Sequence, residues 1–108
     1  MPAYVIAFLT VTNRERYAGY SSGFAAILQQ YRGRLLLVDD DVTVLEGAPE
    51  PGRHVILEFD DRASAEAWYR SPEYQGILPH RLAGSTTHFV AIGETPAAVA
   101  DRIANRSG

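Results

Sequence analysis

The side chains best suited to chemistry are His54, Glu58 and His88, with Tyr4, Phe8, Thr10, Arg34, Tyr74 and Arg81 as companions. A histidine titrates near neutrality and serves as a general base or acid. Glu58 offers a second proton-transfer group, or one half of an ion pair. The expected catalytic set is His54, Glu58 and Arg81, with Arg81 as an anchoring group. Tyr4, Phe8, Thr10, Tyr74 and His88 are the expected substrate contacts. Each residue also has a plainer reading. The histidines fit solvated strand ends, and Glu58 fits a structural ion pair with Arg34 or Arg81. Ser71–Pro72–Glu73–Tyr74 fits either a mouth or a helix-connecting turn with Tyr74 packed down. Trp68, Tyr69, Tyr17 and Tyr20 read as core, with one tyrosine hydroxyl able to reach a cavity.

Several chemistries find no support. Cysteine is absent, which excludes disulfides, thiolate metal sites and cysteine nucleophiles. Asp39–Asp41 lacks the glycine and distal glutamate of a calcium loop and reads as a solvated turn. No GxGxxG, P-loop, HExxH or GxSxG pattern occurs, so neither a cofactor nor a metal is expected.

The elements that must position these residues follow from periodicity. Residues 3 to 12 have strand composition. Asn13 caps a helix whose stripe is Tyr17, Tyr20, Phe24, Ile27, Leu28 and Tyr31, and Gly33 stops it. Arg34 to Val38 is a second strand. A polar turn at Asp39–Asp41 follows, with extended structure resuming over Val42 to Leu45. Gly47, Pro49, Pro51 and Gly52 form a loop. His54 to Phe59 is the third strand. Asp60 or Asp61 caps a second helix through Ala65, Trp68 and Tyr69, ended or restarted as a short turn at Pro72. Thr86 to Ile92 is the last strand. Thr95–Pro96 then starts a short terminal helix. Two βαβ units predict an antiparallel four-stranded sheet with its helices on one face, in strand order four, one, three, two.

Strand alternation assigns Val5, Ala7, Leu9, Val11, Val55, Leu57, Phe59, Phe89 and Ala91 to the helix side. The other side carries Tyr4, Ile6, Phe8, Thr10, His54, Ile56, Glu58, His88, Val90 and Ile92. That face is too apolar for water, so it predicts sheet-on-sheet packing with a second copy. His54 and His88 flank strand one, about 10 Å apart across two strand spacings. That suits groups on either side of a ligand, not a shared metal ion at ~2 Å.

One hundred and eight residues make one domain, with little apolar volume for an enclosed pocket unless two subunits share it. The expected division is a ferredoxin-like domain over 1–93 and a tail over 94–108, with Val99 and Ile103 docking on a neighbour. The net charge of −3 leaves no basic excess, so no nucleic-acid partner is expected. The opening stretch lacks the features of a signal peptide, and no run approaches a membrane span. A cytoplasmic protein without a membrane partner is expected.

The chain resembles the uncharacterised family catalogued as domain of unknown function 1330, within the dimeric α/β barrel superfamily. The resemblance is carried by AYVIAFLTVT, the helix with Tyr17 and Tyr20, YRGRLLLV, VTVLEG, VILEFDDRASAEAWYRSPEYQGILPHR and HFVAIG, over about residues 3 to 93. It implies a ferredoxin-like βαββαβ fold and a homodimer. Glu58 and Arg81 fall in matching segments. The wider superfamily includes cofactor-independent monooxygenases, haem-degrading enzymes, isomerases and polyketide cyclases, several with substrate between the sheet and its helices. Two functions are therefore weighed. One is a cofactor-free enzyme acting on a small apolar or aromatic metabolite, and the other is a non-catalytic metabolite-binding or regulatory dimer. A haem or quinol monooxygenase would further need a histidine beside a cavity-facing tryptophan.

Overall fold

Caps and turns divide the chain into eight elements, seen in a computed structural model that describes residues 1–107 and the side chains of residues 1–102. They are β1 (Ala3–Val11), α1 (Arg14–Gln30), β2 (Arg34–Asp39), β3 (Arg53–Phe59), α2 (Arg62–Arg70), α3 (Pro72–Gly84), β4 (Ser85–Glu94) and α4 (Ala97–Ser107). Asn13 and Asp61 cap α1 and α2 by accepting hydrogen bonds from Arg16 N and Ser64 N. The four strands form one antiparallel sheet in the order β2-β3-β1-β4. This is the order that right-handed crossovers require.

Helices α1, α2 and α3 cover one face of the sheet, and the core lies between. Trp68, Tyr74, Phe59, Leu57 and Val5 are its largest fully buried side chains. The chief helix–helix contact is α1 on α3, while α2 lies on the sheet. Gly84 closes the join between α1 and α3. A Cβ there would stand 2.5 Å from the Tyr17 backbone nitrogen. Its carbonyl accepts from both Thr12 N and Asn13 N, so it cannot retreat.

Three expectations need correction. Val42–Leu45 is not a strand. Asp41 N donates to the Asp39 side chain and turns the chain away from the sheet edge, leaving Val44 and Leu45 exposed. Nor does the second helix stop in a short turn. Ser71 accepts from Tyr74 N and Pro72 opens a new thirteen-residue helix, which continues past Pro79 to Gly84. Finally, the faces of β4 are reversed. A bulge between its pairing with Phe8 and with Leu9 inserts one residue. Val90 and Ile92 therefore pair with Ala7 and Val5 on the helix side, while Phe89 and Ala91 pair with Phe8 and Ile6 on the open side.

Thr95 and Pro96 precede α4 as anticipated. Val99 is exposed, and the anticipated docking of the Ile103 side chain lies outside the described residues, as does Gly108 of the tail. Among the described residues no helix is long and apolar enough to cross a membrane.

Candidate functional site

Cross-strand register sorts the open sheet face into rows. One row is Arg34, Glu58, Tyr4 and Gly93. The next is Leu37, Ile56, Ile6 and Ala91, an apolar band across all four strands. The third is Asp39, His54, Phe8 and Phe89. Ile6 and Phe89 keep 42% and 46% of their surface exposed, which no water-facing sheet gains from.

The polar row is an ion-pair network. Arg34 Nε donates to Glu58 at 2.8 Å, Tyr4 Oη donates to the other carboxylate oxygen at 3.0 Å, and Arg34 also reaches Asp60. Arg34, then Tyr4, holds the Glu58 carboxyl below its ordinary value of 4.5. The same bond to Glu58 raises the Tyr4 phenol. Glu58 is thus an ionised partner of Arg34, not of Arg81. A carboxylate depressed in the folded state stabilises it above its unfolded value and loses that contribution as the pH falls through the folded one. The advantage of wild type over Glu58→Gln in thermal melts is therefore expected to shrink as the pH falls through 4.5 and below. A pH-independent difference would contradict the linkage.

The aromatic row holds the histidines. Phe8 stacks between His54 at 4.4 Å and His88 at 4.3 Å between ring centroids. Thr10 Oγ1 donates its one hydrogen to the Pro51 carbonyl and lies 2.8 Å from His88 Nε2. Donor–acceptor balance therefore assigns the proton to His88 Nε2, which donates to Thr10. His54 and Glu58 lie four residues apart on one strand, about 13 Å. The expected convergence of His54 or His88 with Glu58 on one ligand is therefore not formed: the phenylalanine fills the space between the histidines.

Tyr74 and Arg81 lie on the opposite side of the sheet. There, between the sheet and α1, α2 and α3, is a cavity of about 140 Å³ lined by sixteen residues. Its walls include Val5, Leu57, Phe24 and Trp68, and its polar side chains include Tyr17, Tyr20, Ser21, Tyr74, Arg53 and Arg81. Tyr4, Phe8, Thr10, His54, Glu58 and His88 do not line it. A larger, open groove of about 860 Å³ shares Tyr17, Ser21 and Arg53 with it, and also touches Thr10. At this junction Arg53 is held by Asp40 at 2.6 Å and lies over the Tyr17 ring. A half-open pocket therefore exists within one subunit, its mouth beside the exposed Leu35 and Val38. The aromatic side chains of α1, α2 and α3 supply its walls.

The polar inventory of the cavity is unbalanced. Tyr20 and Tyr74 share a hydroxyl–hydroxyl bond of 2.8 Å, and burial raises both phenols, so both remain protonated. Trp68 Nε1 and Arg81 Nε are buried with no hydrogen-bond partner among the described residues. Arg81 is 4% exposed, and its guanidinium lies 5.9 Å above the Tyr20 ring. A cation over such a ring gains about 1–2 kcal/mol, against several kcal/mol for removing a charge from water. Trp68 and Tyr20 are core residues, as the sequence predicts; a tyrosine hydroxyl at the cavity is likewise expected, whereas Trp68 as part of its wall is not. The recurrence of Tyr17, Ser21 and Phe24 on one stripe, with a small polar residue among aromatics, is the signal that marks a hollow there. Among the described residues no group of three or more His, Asp or Glu side chains is placed to hold a metal ion.

The βαββαβ order, the single antiparallel sheet and the cavity beneath α1 define a ferredoxin-like α+β protein. The chain belongs to the family described as domain of unknown function DUF1330, whose model matches residues 2–95. No curated protein matches it significantly. It is similar to the RPA0582 protein of unknown function from Rhodopseudomonas palustris, with 18% identity, a TM-score of 0.67, and 88% of this chain and 84% of that chain covered. A dimeric ferredoxin-like protein of unknown function from Jannaschia sp. CCS1 aligns with 13% identity, a TM-score of 0.70, and 88% and 100% of the two chains covered. SnoaB, a cofactor-independent oxygenase from Streptomyces nogalater, aligns with 13% identity, a TM-score of 0.59, and 88% and 93% covered. At these identities the likeness is one of fold.

Proposed function

We propose that the protein is a homodimeric α/β barrel that binds one small aromatic or apolar molecule in each subunit. The observation that carries this reading is the cavity of about 140 Å³ walled by five aromatic side chains of the helices and the aliphatic face of the sheet. An apolar cavity of ~150 Å³ takes up a benzene ring, so the volume fits a single-ring ligand. Tyr74 and Arg81 contact that ligand. Tyr4, Phe8, Thr10, His54, Glu58 and His88 instead face the second copy, whose sheet covers the apolar band of Leu37, Ile56 and Ile6. The description of the Jannaschia protein as dimeric supports this assignment.

A second reading, cofactor-free catalysis, is favoured by the protonated Tyr20–Tyr74 pair beside Arg81. Donors fixed in an apolar site stabilise oxygen-centred negative charge as it develops. The lining side chains include no histidine or carboxylate, so a reaction here would draw on an acidic substrate and these donors. The likeness in fold to a protein described as a cofactor-independent oxygenase fits that chemistry.

The test uses the one tryptophan of the chain, Trp68. Toluene is expected to shift its indole N–H resonance saturably. Native mass spectrometry is expected to give the mass of two chains. An indole resonance unmoved by toluene would remove the cavity from the reading, and a monomer mass would remove the barrel.

A further inference from the structure

We infer that the ligand is a small monocarboxylate, with its charged group on Arg81 and a single apolar ring as its remainder. This rests on the cavity reading above and adds the chemical class.

Charge and donor balance in the cavity point to this class. Sixteen residues line the cavity: two are arginines and none is a carboxylate. Arg53 already has its counterion in Asp40. Arg81 has none among the described residues, although it is one of the most buried polar side chains in the chain. Its position in the last turn of α3 places it near a partial negative charge, which offsets only part of its burial. Hydrogen-bond donors also outnumber acceptors. Arg81 Nε and Trp68 Nε1 are unpartnered, and of the two tyrosine hydroxyls only one can donate within their shared bond. These groups are linked by contact: Trp68 packs on Tyr74 at 4.2 Å, Tyr74 bonds Tyr20, and Arg81 lies over Tyr20. An acceptor-only, singly charged group meets both deficits. A carboxylate is such a group, and its two oxygens match the planar fork of a guanidinium. A neutral amide of the same shape brings its own donors into a site that already has too many. The remaining walls are aliphatic and aromatic, which selects an apolar ring.

The experiment titrates the wild-type protein with benzoate, benzamide and toluene at pH 7, read on the Trp68 indole resonance. Benzoate is expected to bind at least ~30-fold more tightly than benzamide, the effect of leaving a buried charge partner unmet. Arg81→Gln is expected to lose that preference while still taking up toluene. Equal affinities for benzoate and benzamide in wild type would overturn the carboxylate and leave the aromatic cavity standing. Failure of all three to move the resonance would overturn both. Should Arg81→Gln fail to fold, the wild-type series decides alone, since its ligands differ in charge at constant shape.

Discussion

Phe8→Asp is expected to turn the proposed dimer into a folded monomer. Phe8 stands at the centre of the open face, stacked between His54 and His88 and edge-on to Phe89. Beside it runs the apolar band through Ile6 and Ile56. Sheet-on-sheet packing would bury all of these. An aspartate there carries a charge into the interface, faced on its own sheet by the imidazoles of His54 and His88. Taking that carboxylate out of water costs several kcal/mol, and loss of the stacked phenyl ring adds to it. A two-fold axis makes every substitution count twice. The sum, about 6 kcal/mol or more, weakens dimerisation by about four orders of magnitude. The subunit fold should survive, because the side chain points away from the helix-side core. Sedimentation velocity at micromolar concentration, with far-ultraviolet circular dichroism as the control for folding, decides the matter. A persistent dimer would show that the open face is not the interface.

The largest loss of stability is expected for Trp68→Ala. Trp68 is 1% exposed and meets Phe24, Phe59, Tyr69 and Tyr74 within 6.3 Å between ring centroids. Truncating a buried tryptophan costs about 3–5 kcal/mol through lost transfer energy and the void left behind. Here the void opens into an existing cavity, so neighbours have little to collapse onto. Against a total stability of about 5–15 kcal/mol this is a large fraction. At ~4–8 °C per kcal/mol the melting temperature should fall by roughly 15 °C or more. Trp68→Phe should lose much less, since it keeps a ring in place and removes an N–H that has no partner among the described residues. Thermal melts followed by circular dichroism test both. A fall below ~5 °C for Trp68→Ala would mean that the cavity wall does not bear on the core.

The two substitutions probe opposite faces of one sheet, and the division between those faces is where sequence reasoning partly failed. On β1 and β3 strict alternation holds, so the open face with Tyr4, Phe8, His54 and Glu58 was legible, as was Arg34 as the partner of Glu58 across a neighbouring strand. On β4 alternation is interrupted at the bulge. His88 keeps its predicted face, while Phe89 and Val90 exchange theirs. No composition rule marks that inserted residue, because a bulge is decided by how β4 must bend against β1.

The gathering of candidate residues divides along the same line. His54, Glu58 and His88 share a face because a strand repeats every two residues, yet sharing a face does not bring them to one ligand. Arg81 and Tyr74 were singled out by residue type, but their depth follows from the length and rotation of α3. That helix carries little amphipathic pattern, and Pro79 inside it reads in the sequence as a stop although the helix runs on to Gly84. Its course is set by the cap at Ser71 and by contact with α1.

By itself the sequence determined the order of the four strands and of the helices α1 and α2 between them, the strand order in the sheet, the faces of β1 and β3 and the need to cover an apolar sheet. All of these rest on local periodicity and on the handedness of crossovers, which chain chemistry enforces residue by residue. Only the tertiary structure decided that a cavity remains beneath α1 and that Arg81 is buried against it without a counterion among the described residues. A void and an unpaired charge are properties of how elements separated in sequence fail to fill the space between them.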